Sequence, residues 1–337
     1  MPAAAPPLIG TFDTVVGCLT PVTAGQWRHF LGLPPTRSAH AEAHAAVSAF
    51  GQVEIGGSSV TAPGAGPLRV AAWNLERCLY PHVAAHMLRR HGVRLALLTE
   101  MDRGMLRTGQ AHTIAAVAAA LGHRYAYGLE FLELLSMPPP TGFARRGDDN
   151  DQGFHGNGIV SALPLAHPVV IRLDEVADWY VAPKGGQRRI GNRMAVAGIV
   201  TVGESRFVAC SVHLESATDG PGRATQMRGL LDALDRYAEG LPVLIGGDLN
   251  THVPPGGHDD PREPLFSLTK RRGYNFDACN LAGPTTRASV WSESEATRQL
   301  DWFCTRGLTT EAPEIIPALA PDGTVLTDHE LILVTIR

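Results

Sequence analysis

The stretch IGGDLNTH, residues 245–252, places two polar side chains directly after an apolar run. The run from Pro242 to Gly246 predicts a short buried strand, and Asp248 and Asn250 follow it. Functional groups are frequent at such positions, because a rigid sheet fixes the side chains that its loops present. A single carboxylate of this kind is ordinary, so the meaning of the stretch depends on the rest of the chain.

The same arrangement recurs on both sides of residues 245–252. Asn74 and Glu76 close an apolar run that begins at Leu68, and Glu100 closes the run Leu95–Leu98. Other polar side chains that lie at or beside apolar runs are Asn157, His213, Asp301, Asp328 and His329. Clusters this rich in Asp, Asn, Glu and His are hard to explain as solvated strand edges, so we expect them to form one site.

Short apolar runs alternate with helical patterns from Leu68 onward, which is typical of an α/β protein. The predicted strands are Leu68–Trp73, Leu95–Thr99, Gly158–Ala162, Met194–Val202, Phe207–His213, Pro242–Gly246, Leu300–Cys304 and Leu331–Ile336. The predicted helices are Ser38–Phe50, His82–His91, Ala111–Leu121 and Arg223–Glu239. The last helix has Met227, Leu230, Leu231 and Leu234 on one face, as expected for packing against a sheet.

The polar set has the chemistry of a metal-assisted hydrolase. Carboxylate and amide oxygens without cysteine ligands suit a hard divalent cation, Mg²⁺ or Mn²⁺. Two histidines and an aspartate near that ion could transfer protons and stabilise charge. Together they fit the attack of water on a phosphorus centre.

The order of the motifs resembles that of the endonuclease/exonuclease/phosphatase superfamily of metal-dependent phosphohydrolases. The stretches that carry the resemblance are WNLE (73–76), LLTEMD (97–102), HGNGIVS (155–161), SVHLES (211–216), IGGDLNTH (245–252), LDWF (300–303) and TDHELI (327–332). They occur in the family order and span roughly residues 68–337. The resemblance implies a four-layer α/β sandwich, in which two mixed β-sheets pack face to face with helices outside.

The resemblance also implies which residues bind metal. Asn74 and Glu100 correspond to the family's metal ligands. By the same resemblance Asp328 would be a further ligand, either direct or through water. Glu76 stands where some relatives place an acidic residue beside a second metal.

Catalytic roles follow from the same resemblance. Asp248 would activate or align the attacking water, and Asn250 and Asn157 would hold water or a phosphate oxygen. His213 and His329 would donate hydrogen bonds to the phosphate in the transition state. The remaining two residues of the implied site are Asp301, which would orient the ring of His329, and Arg193, which would touch phosphate.

Composition limits the choice of substrate. The 29 Lys and Arg against 33 Asp and Glu give a formal net charge of −4, which is unlike a sequence-indifferent DNA binder. We therefore expect a phosphohydrolase that cleaves a phosphodiester or a phosphomonoester in a small or lipid-like substrate. The alternatives are a nuclease on DNA or RNA, and a scaffold adapted to non-phosphate hydrolysis or to binding only.

Location and domain organisation are also expectations. Five scattered cysteines without a CxxC pair indicate neither a zinc ribbon nor a disulfide framework, so a cytoplasmic setting is expected. The longest apolar stretch, Thr113–Leu121, is too short to span a bilayer. Pro63 and Gly64 belong to a linker-like break. We expect an N-terminal extension over residues 1–66 and a catalytic domain over residues 67–337, with no indication of oligomeric state.

Overall fold

The computed structural model describes residues 9–58, 66–293 and 298–337 of the chain. The linker-like break predicted at Pro63 and Gly64 lies outside these residues. Within them the strands form two sheets. The first, sheet A, has the spatial order β1 (Gly10–Phe12), β8 (Leu165–Arg172), β10 (Met194–Val202), β11 (Ser205–His213), β12 (Val243–Asp248) and β13 (Asp301–Arg306).

The second sheet, sheet B, is the larger one. Its order is β14 (Thr310–Ile316), β15 (Leu331–Ile336), β4 (Leu68–Arg77), β5 (Leu95–Arg103), β7 (Phe154–Ser161), β6 (Arg124–Glu133), β3 (Gln52–Gly57) and β2 (Thr14–Val16), and β9 (Arg189–Gly191) pairs with β6. Strands β4 and β5 run parallel, as do β11 and β12 in sheet A, while their outer neighbours run antiparallel. Both sheets are therefore mixed.

The two sheets pack face to face through a shared apolar core. Leu97 and Ile332 of sheet B lie in one buried cluster with Val196, Leu244 and Phe303 of sheet A. The helices cover the outer faces, and their bounds are α1 (Ala24–Gly32), α2 (Arg37–Ala45), α3 (Pro81–Arg90), α4 (Thr113–Leu121), α5 (Gly220–Ala238) and α6 (Pro264–Arg271). Helices α1 to α4 pack on sheet B, and α5 and α6 pack on sheet A. The predicted four-layer α/β sandwich is confirmed.

Helix α5 shows how the local sequence supports this layering. Asp219 caps its N-terminus by accepting the N–H of Gly222 at 2.9 Å, and Pro221 lies in the first turn. Met227, Leu230 and Leu231 are buried against sheet A, as their helical spacing predicts. Within the described residues, none of the helices combines the length and the apolar character needed to cross a membrane.

Near the N-terminus the helix prediction is partly wrong. The helix predicted over Ser38–Phe50 is observed as α2, and its N-cap is Thr36 rather than Ser38. The chain leaves the helix after Ala45 and forms a 3-10 turn at Ser48–Gly51. Strand β1 pairs with sheet A, while β2 and β3 join sheet B, so the described part of residues 1–66 contributes strands to both sheets. The division at residue 66 stays a prediction.

Candidate active site

The candidate site lies at one edge of the sandwich, where strands of both sheets end or begin. Asn74 and Glu100 lie on the parallel strands β4 and β5, and Asp248 ends β12. Strand β13 runs antiparallel to β12, so its first residue, Asp301, pairs in register with Asp248. His213, the last residue of β11, is also in register with Asp248. The topology thus brings together side chains that are far apart in sequence.

Gly247 allows β11 and β12 to approach closely at this edge. Its φ is +148°, and a Cβ there would lie 2.0 Å from the carbonyl oxygen of Val212. Only glycine fits this contact without moving the backbone. The residue therefore supports the register that sets His213 opposite Asp248.

Three candidate residues have a left-handed backbone. Glu76, Glu100 and Asn250 have φ values of 42°, 57° and 50°. The first two lie where the pairing of β4 and β5 with their neighbours shifts register. Bulges of this kind re-aim side chains, and strained conformations concentrate at functional sites. The local backbone thus departs from regular strand geometry where the predicted ligands lie.

Four carboxylates lie close together in the candidate site. Glu100 and Asp248 both accept hydrogen bonds from Asn74 Nδ2, each at 3.0 Å. Glu76 accepts the N–H of Asp328 at 3.1 Å. Burial and the Asp328 carboxylate raise the pKa of Glu76 to about 8. Burial, together with Glu100 and Asp248, raises the pKa of Asp328 to about 6 although His329 opposes the shift.

This crowding fits the predicted divalent cation. Repulsion among buried carboxylates is relieved when a cation binds between them, and the donors are oxygens, which Mg²⁺ and Mn²⁺ prefer. Asn74 is the exception in its present orientation, because its Nδ2 faces Glu100 and Asp248 while its Oδ1 accepts the N–H of Glu76 at 3.0 Å. Ligation through that oxygen requires the amide to turn over. The metal roles of Asn74, Glu76, Glu100 and Asp328 stay predictions.

His329 is held by a buried carboxylate. Its Nδ1 lies 2.8 Å from Asp301 Oδ2, and its Nε2 lies 3.7 Å from Asp248 Oδ2 and 3.8 Å from Asp328 Oδ1. Burial disfavours the imidazolium, but the surrounding carboxylates raise the pKa of His329 well above its usual value. Ligand atoms of Asp248, Asp301 and His329 lie within 4.8 Å of one another and could also hold an ion. The Asp301 hydrogen bond instead fits the predicted role of orienting the ring.

His213 lies on the other side of Asp248. Its Nε2 is 3.5 Å from Asp248 Oδ2 and 3.9 Å from Glu100 Oε1, while its Nδ1 is 3.5 Å from Glu130 Oε2. Burial and the adjacent Arg193 lower the pKa of His213, but the carboxylates outweigh them and the net shift is upward. The two predicted histidines therefore flank one aspartate.

Arg193 is more enclosed than the prediction requires. It is buried and forms ion pairs with Glu130 at 3.1 Å and with Glu215 at 3.2 Å. The Arg193 guanidinium group is therefore already paired with two carboxylates, although the side chain lines the cleft. Its contact with phosphate stays a prediction.

The structure divides the eleven predicted residues into two groups. Seven line a cleft of ≈ 440 Å³, namely Glu100, Arg193, His213, Asp248, Asn250, Asp328 and His329. The other four, Asn74, Glu76, Asn157 and Asp301, lie behind them and contact them. Asn157 Oδ1, for example, accepts the N–H of Glu100 at 3.3 Å. These four are positioned to orient neighbouring groups.

A second buried aspartate–histidine pair, which the sequence analysis does not predict, faces the cleft. His155 Nδ1 lies 2.8 Å from Asp102 Oδ1, and its Nε2 lies 3.9 Å from Glu100 Oε2. Arg107 clamps Asp102 through two bonds of 2.8 Å and also contacts Glu133. His155 lies in the motif HGNGIVS and Asp102 lies in LLTEMD, so their residue types and positions could have indicated the pair. Nothing in the sequence pattern indicates Arg107 and Glu133.

The fold corresponds to that of a known class of proteins. Two face-to-face mixed sheets, with Asp, Asn and His side chains gathered at one edge, form the fold of the endonuclease/exonuclease/phosphatase proteins. The resemblance that the motifs predict is thus confirmed at the level of the fold. No protein-family model matches the chain, and no curated protein matches its sequence.

Solved structures give the particular similarities. An endonuclease/exonuclease/phosphatase protein from Beutenbergia cavernae is 20% identical, with 80% of this chain and 71% of that chain covered at a TM-score of 0.56. The human Nocturnin catalytic domain, with a bound sulfate anion, is 15% identical over 85% of this chain and 96% of that one, at 0.52. A mannosyl-6-phosphatase from Bacteroides thetaiotaomicron is 13% identical over 80% and 99%, at 0.54.

Proposed function

We propose that this protein is a divalent-metal-dependent phosphohydrolase that cleaves a phosphoester bond in a small or lipid-like substrate. The observation that carries the proposal is the pair of histidines on either side of Asp248, with His329 oriented by Asp301 at 2.8 Å. A carboxylate between two histidines is suited to align water while hydrogen-bond donors face the phosphoryl group. Structural neighbours include a mannosyl-6-phosphatase and a protein with bound sulfate.

The reaction is a hydrolysis at phosphorus. Asp248 accepts a proton from water, the water oxygen adds to phosphorus, and the ester P–O bond breaks. The alkoxide that leaves takes a proton from solvent, and Asp248 then returns its own proton to solvent. His213 and His329 donate hydrogen bonds to the phosphoryl oxygens, on which negative charge develops. Asp301 keeps the ring of His329 aimed at them. Asn74, Glu76, Glu100 and Asp328 would hold Mg²⁺ or Mn²⁺, which supplies Lewis-acid neutralisation of phosphate charge.

The cellular setting that we propose is the cytoplasm. All five cysteines are free thiols, and four of them are buried. Unpaired buried thiols fit a reducing compartment.

A substrate panel tests the proposed function. Purified protein with Mg²⁺ or Mn²⁺ is assayed against bis-nitrophenyl phosphate, nitrophenyl phosphate, and single- and double-stranded DNA and RNA. Turnover of a nitrophenyl ester that EDTA abolishes and metal restores supports the proposal, with Asp248→Asn as the matched inactive variant. Faster cleavage of a polynucleotide, with strong salt dependence, would identify a nuclease instead. No metal-dependent turnover on the whole panel would overturn phosphohydrolysis.

A further inference from the structure

Five arginines line the cleft above the candidate site, and they fall into two groups. Arg193 and Arg189 both lie against the Trp179 ring. Arg193 pairs with Glu130 and Glu215, and Arg189 Nε lies 3.0 Å from Glu133 Oε1. These two help to hold the cleft together. The other three need a separate explanation.

Arg77, Arg287 and Arg298 are only partly neutralised. Arg77 Nη1 is 3.7 Å from the nearest oxygen of Glu76, whose two oxygens already accept bonds from Ser289 and from a backbone N–H. Arg287 Nε lies 3.0 Å from Glu330 Oε1, but its Nη1 is buried and donates no hydrogen bond within the described residues. Arg298 is exposed and forms no ion pair with any residue that the structure describes.

These three arginines lie in or next to one segment of the chain, residues 285–291. The backbone N–H of Arg287 donates to the Asp328 carbonyl at 2.8 Å, so Arg287 lies beside the candidate site. The Arg298 carbonyl accepts the N–H of Thr285 at 2.9 Å, which places it next to the same segment. The guanidinium carbon of Arg77 lies 4.8 Å from the ring centre of Trp291, in that segment. We name Arg77, Arg287 and Arg298 the arginine subsite.

A single phosphate does not need this subsite. His213, His329 and a bound cation already face the scissile phosphoryl group in the proposed function. Guanidinium groups bind carboxylates and phosphates through paired N–H donors, so three of them indicate further negative charge on the substrate. A cleft of ≈ 440 Å³ is the size of a small-molecule site rather than an extended track.

We propose that the substrate is a small organic phosphate that carries a second anionic group, a phosphate or a carboxylate, and that the arginine subsite binds this second group. This inference rests on the proposed function and deepens it. A polynucleotide also carries flanking phosphates, but the chain has a net charge of −4, and the arginines face a small cleft. An oligonucleotide is therefore a rival outcome of the test.

The experiment uses the metal-loaded protein and the nitrophenyl ester that it hydrolyses. It measures how strongly other phosphates compete with this ester. The competitors are glucose 6-phosphate, 6-phosphogluconate, fructose 1,6-bisphosphate and a short single-stranded oligonucleotide. We expect the compounds with two anionic groups to have inhibition constants at least about tenfold lower than glucose 6-phosphate, the scale of one charge-assisted hydrogen bond. Which of the two binds more tightly separates a second phosphate from a second carboxylate.

Variants assign the preference to the subsite. Arg287→Gln and Arg298→Gln should each reduce the ratio of inhibition constants severalfold or more, and the double variant should remove it. Arg271→Gln, on the exposed face of α6, is the matched control and should leave the ratio unchanged. Since Arg298 is exposed, its variant carries the test if Arg287→Gln fails to fold.

The outcomes separate the two proposals. An enzyme that hydrolyses a nitrophenyl ester but binds all the small competitors equally retains the proposed function and overturns this inference. Tightest binding of the oligonucleotide, or a preference that survives both substitutions, overturns it as well. No turnover of any phosphoester removes the proposed function itself.

Discussion

The floor and the wall of the cleft are built from different kinds of structure. The floor is the set of proposed catalytic residues Asn74, Glu100, Asn157, His213, Asp248, Asp301 and His329, which lie on or beside strand ends of both sheets. The cleft wall consists of segment 173–191, which is mostly irregular and ends in strand β9, and of the irregular segment 284–293; they contribute Trp179, Arg189 and Arg287. Rigid strands fix the groups that perform chemistry, while loops set which molecule reaches them.

The N-terminal region supports the wall rather than the floor. His40 Nε2 accepts the N–H of Gly191 at 3.1 Å, and its ring stacks on Tyr180 with centroids 5.2 Å apart. His40 Nδ1 also lies 3.3 Å from Glu175 Oε1. Helix α2 therefore holds segment 173–191, which carries Trp179 to the cleft. If this division is right, substitutions in the floor reduce kcat, and substitutions behind the wall change KM.

The largest effect is expected for Glu100→Ala. Glu100 is a predicted metal ligand and lies between His213 and His155. Despite its burial, these histidines and Arg77 lower the pKa of Glu100, so it is anionic at neutral pH. We expect the substitution to abolish Mg²⁺-dependent turnover and to weaken metal affinity, measured by activity and by calorimetric titration of Mg²⁺.

The control for this loss is a test that the variant still folds. Far-UV circular dichroism of Glu100→Ala should match that of the unmodified protein, because the removed side chain is one of several at the strand end. Activity that persists in EDTA, in either protein, would show that the floor does not work through a metal.

The second prediction concerns Asp301 and His329. His329→Ala should reduce kcat by about 10²–10³, as expected for loss of one donor to the transition state, with little change in KM. Asp301→Asn should act in the same direction because it loosens the ring. Because the two residues act as one unit, their double variant should lose far less than the product of the single losses.

A double-mutant cycle on kcat at saturating Mg²⁺ measures this coupling. Fully multiplicative losses would mean that Asp301 does not work through His329, and the roles assigned to these two residues would then fail. Asp328→Asn is not a suitable control, because that carboxylate also lies 3.8 Å from His329. Asp277→Asn is suitable, since it is an exposed aspartate that pairs with His258 outside the cleft.

The floor could be predicted from the sequence because its signals are local. Each of these residues follows or precedes an apolar run, so the same stretch of sequence predicts both a strand and a site residue. Strand β6 was missed because Glu130 and Glu133 interrupt its apolar pattern. Both are buried and pair with Arg193 and Arg107, which lie distant in sequence, and periodicity carries no information about such partners. The sequence analysis does not predict the cleft wall for a related reason, because the sequence of residues 173–191 has no regular hydrophobic period.

The third prediction tests how the floor is supported. Arg107 is fully buried between Asp102 and Glu133, so Arg107→Gln leaves buried carboxylates without a cation. We expect a loss of about 3–5 kcal/mol in the free energy of unfolding, the scale of a broken buried pair. Urea unfolding measures it. Arg271→Gln is exposed and should change the free energy by less than about 0.5 kcal/mol, and equal stability of the two variants would contradict a network that supports the floor.

The smallest effect is expected behind the wall, for His40→Ala. The substitution removes the acceptor for the Gly191 N–H and the stack on Tyr180, so segment 173–191 becomes less ordered before substrate binds. When the competent conformation is only partly populated, apparent affinity falls by that fraction. Loss of one hydrogen bond of about 1 kcal/mol corresponds to a rise in KM of roughly fivefold. The floor is untouched, so kcat should stay within about twofold on the same argument.

Amide hydrogen exchange over residues 173–191 should quicken in parallel. His82→Ala is the matched control, because His82 is an exposed residue of helix α3 that does not line the cleft, and it should change neither KM nor exchange. A fall in kcat at constant KM would show that the wall contributes to the chemistry, and the division between floor and wall would then have to be abandoned.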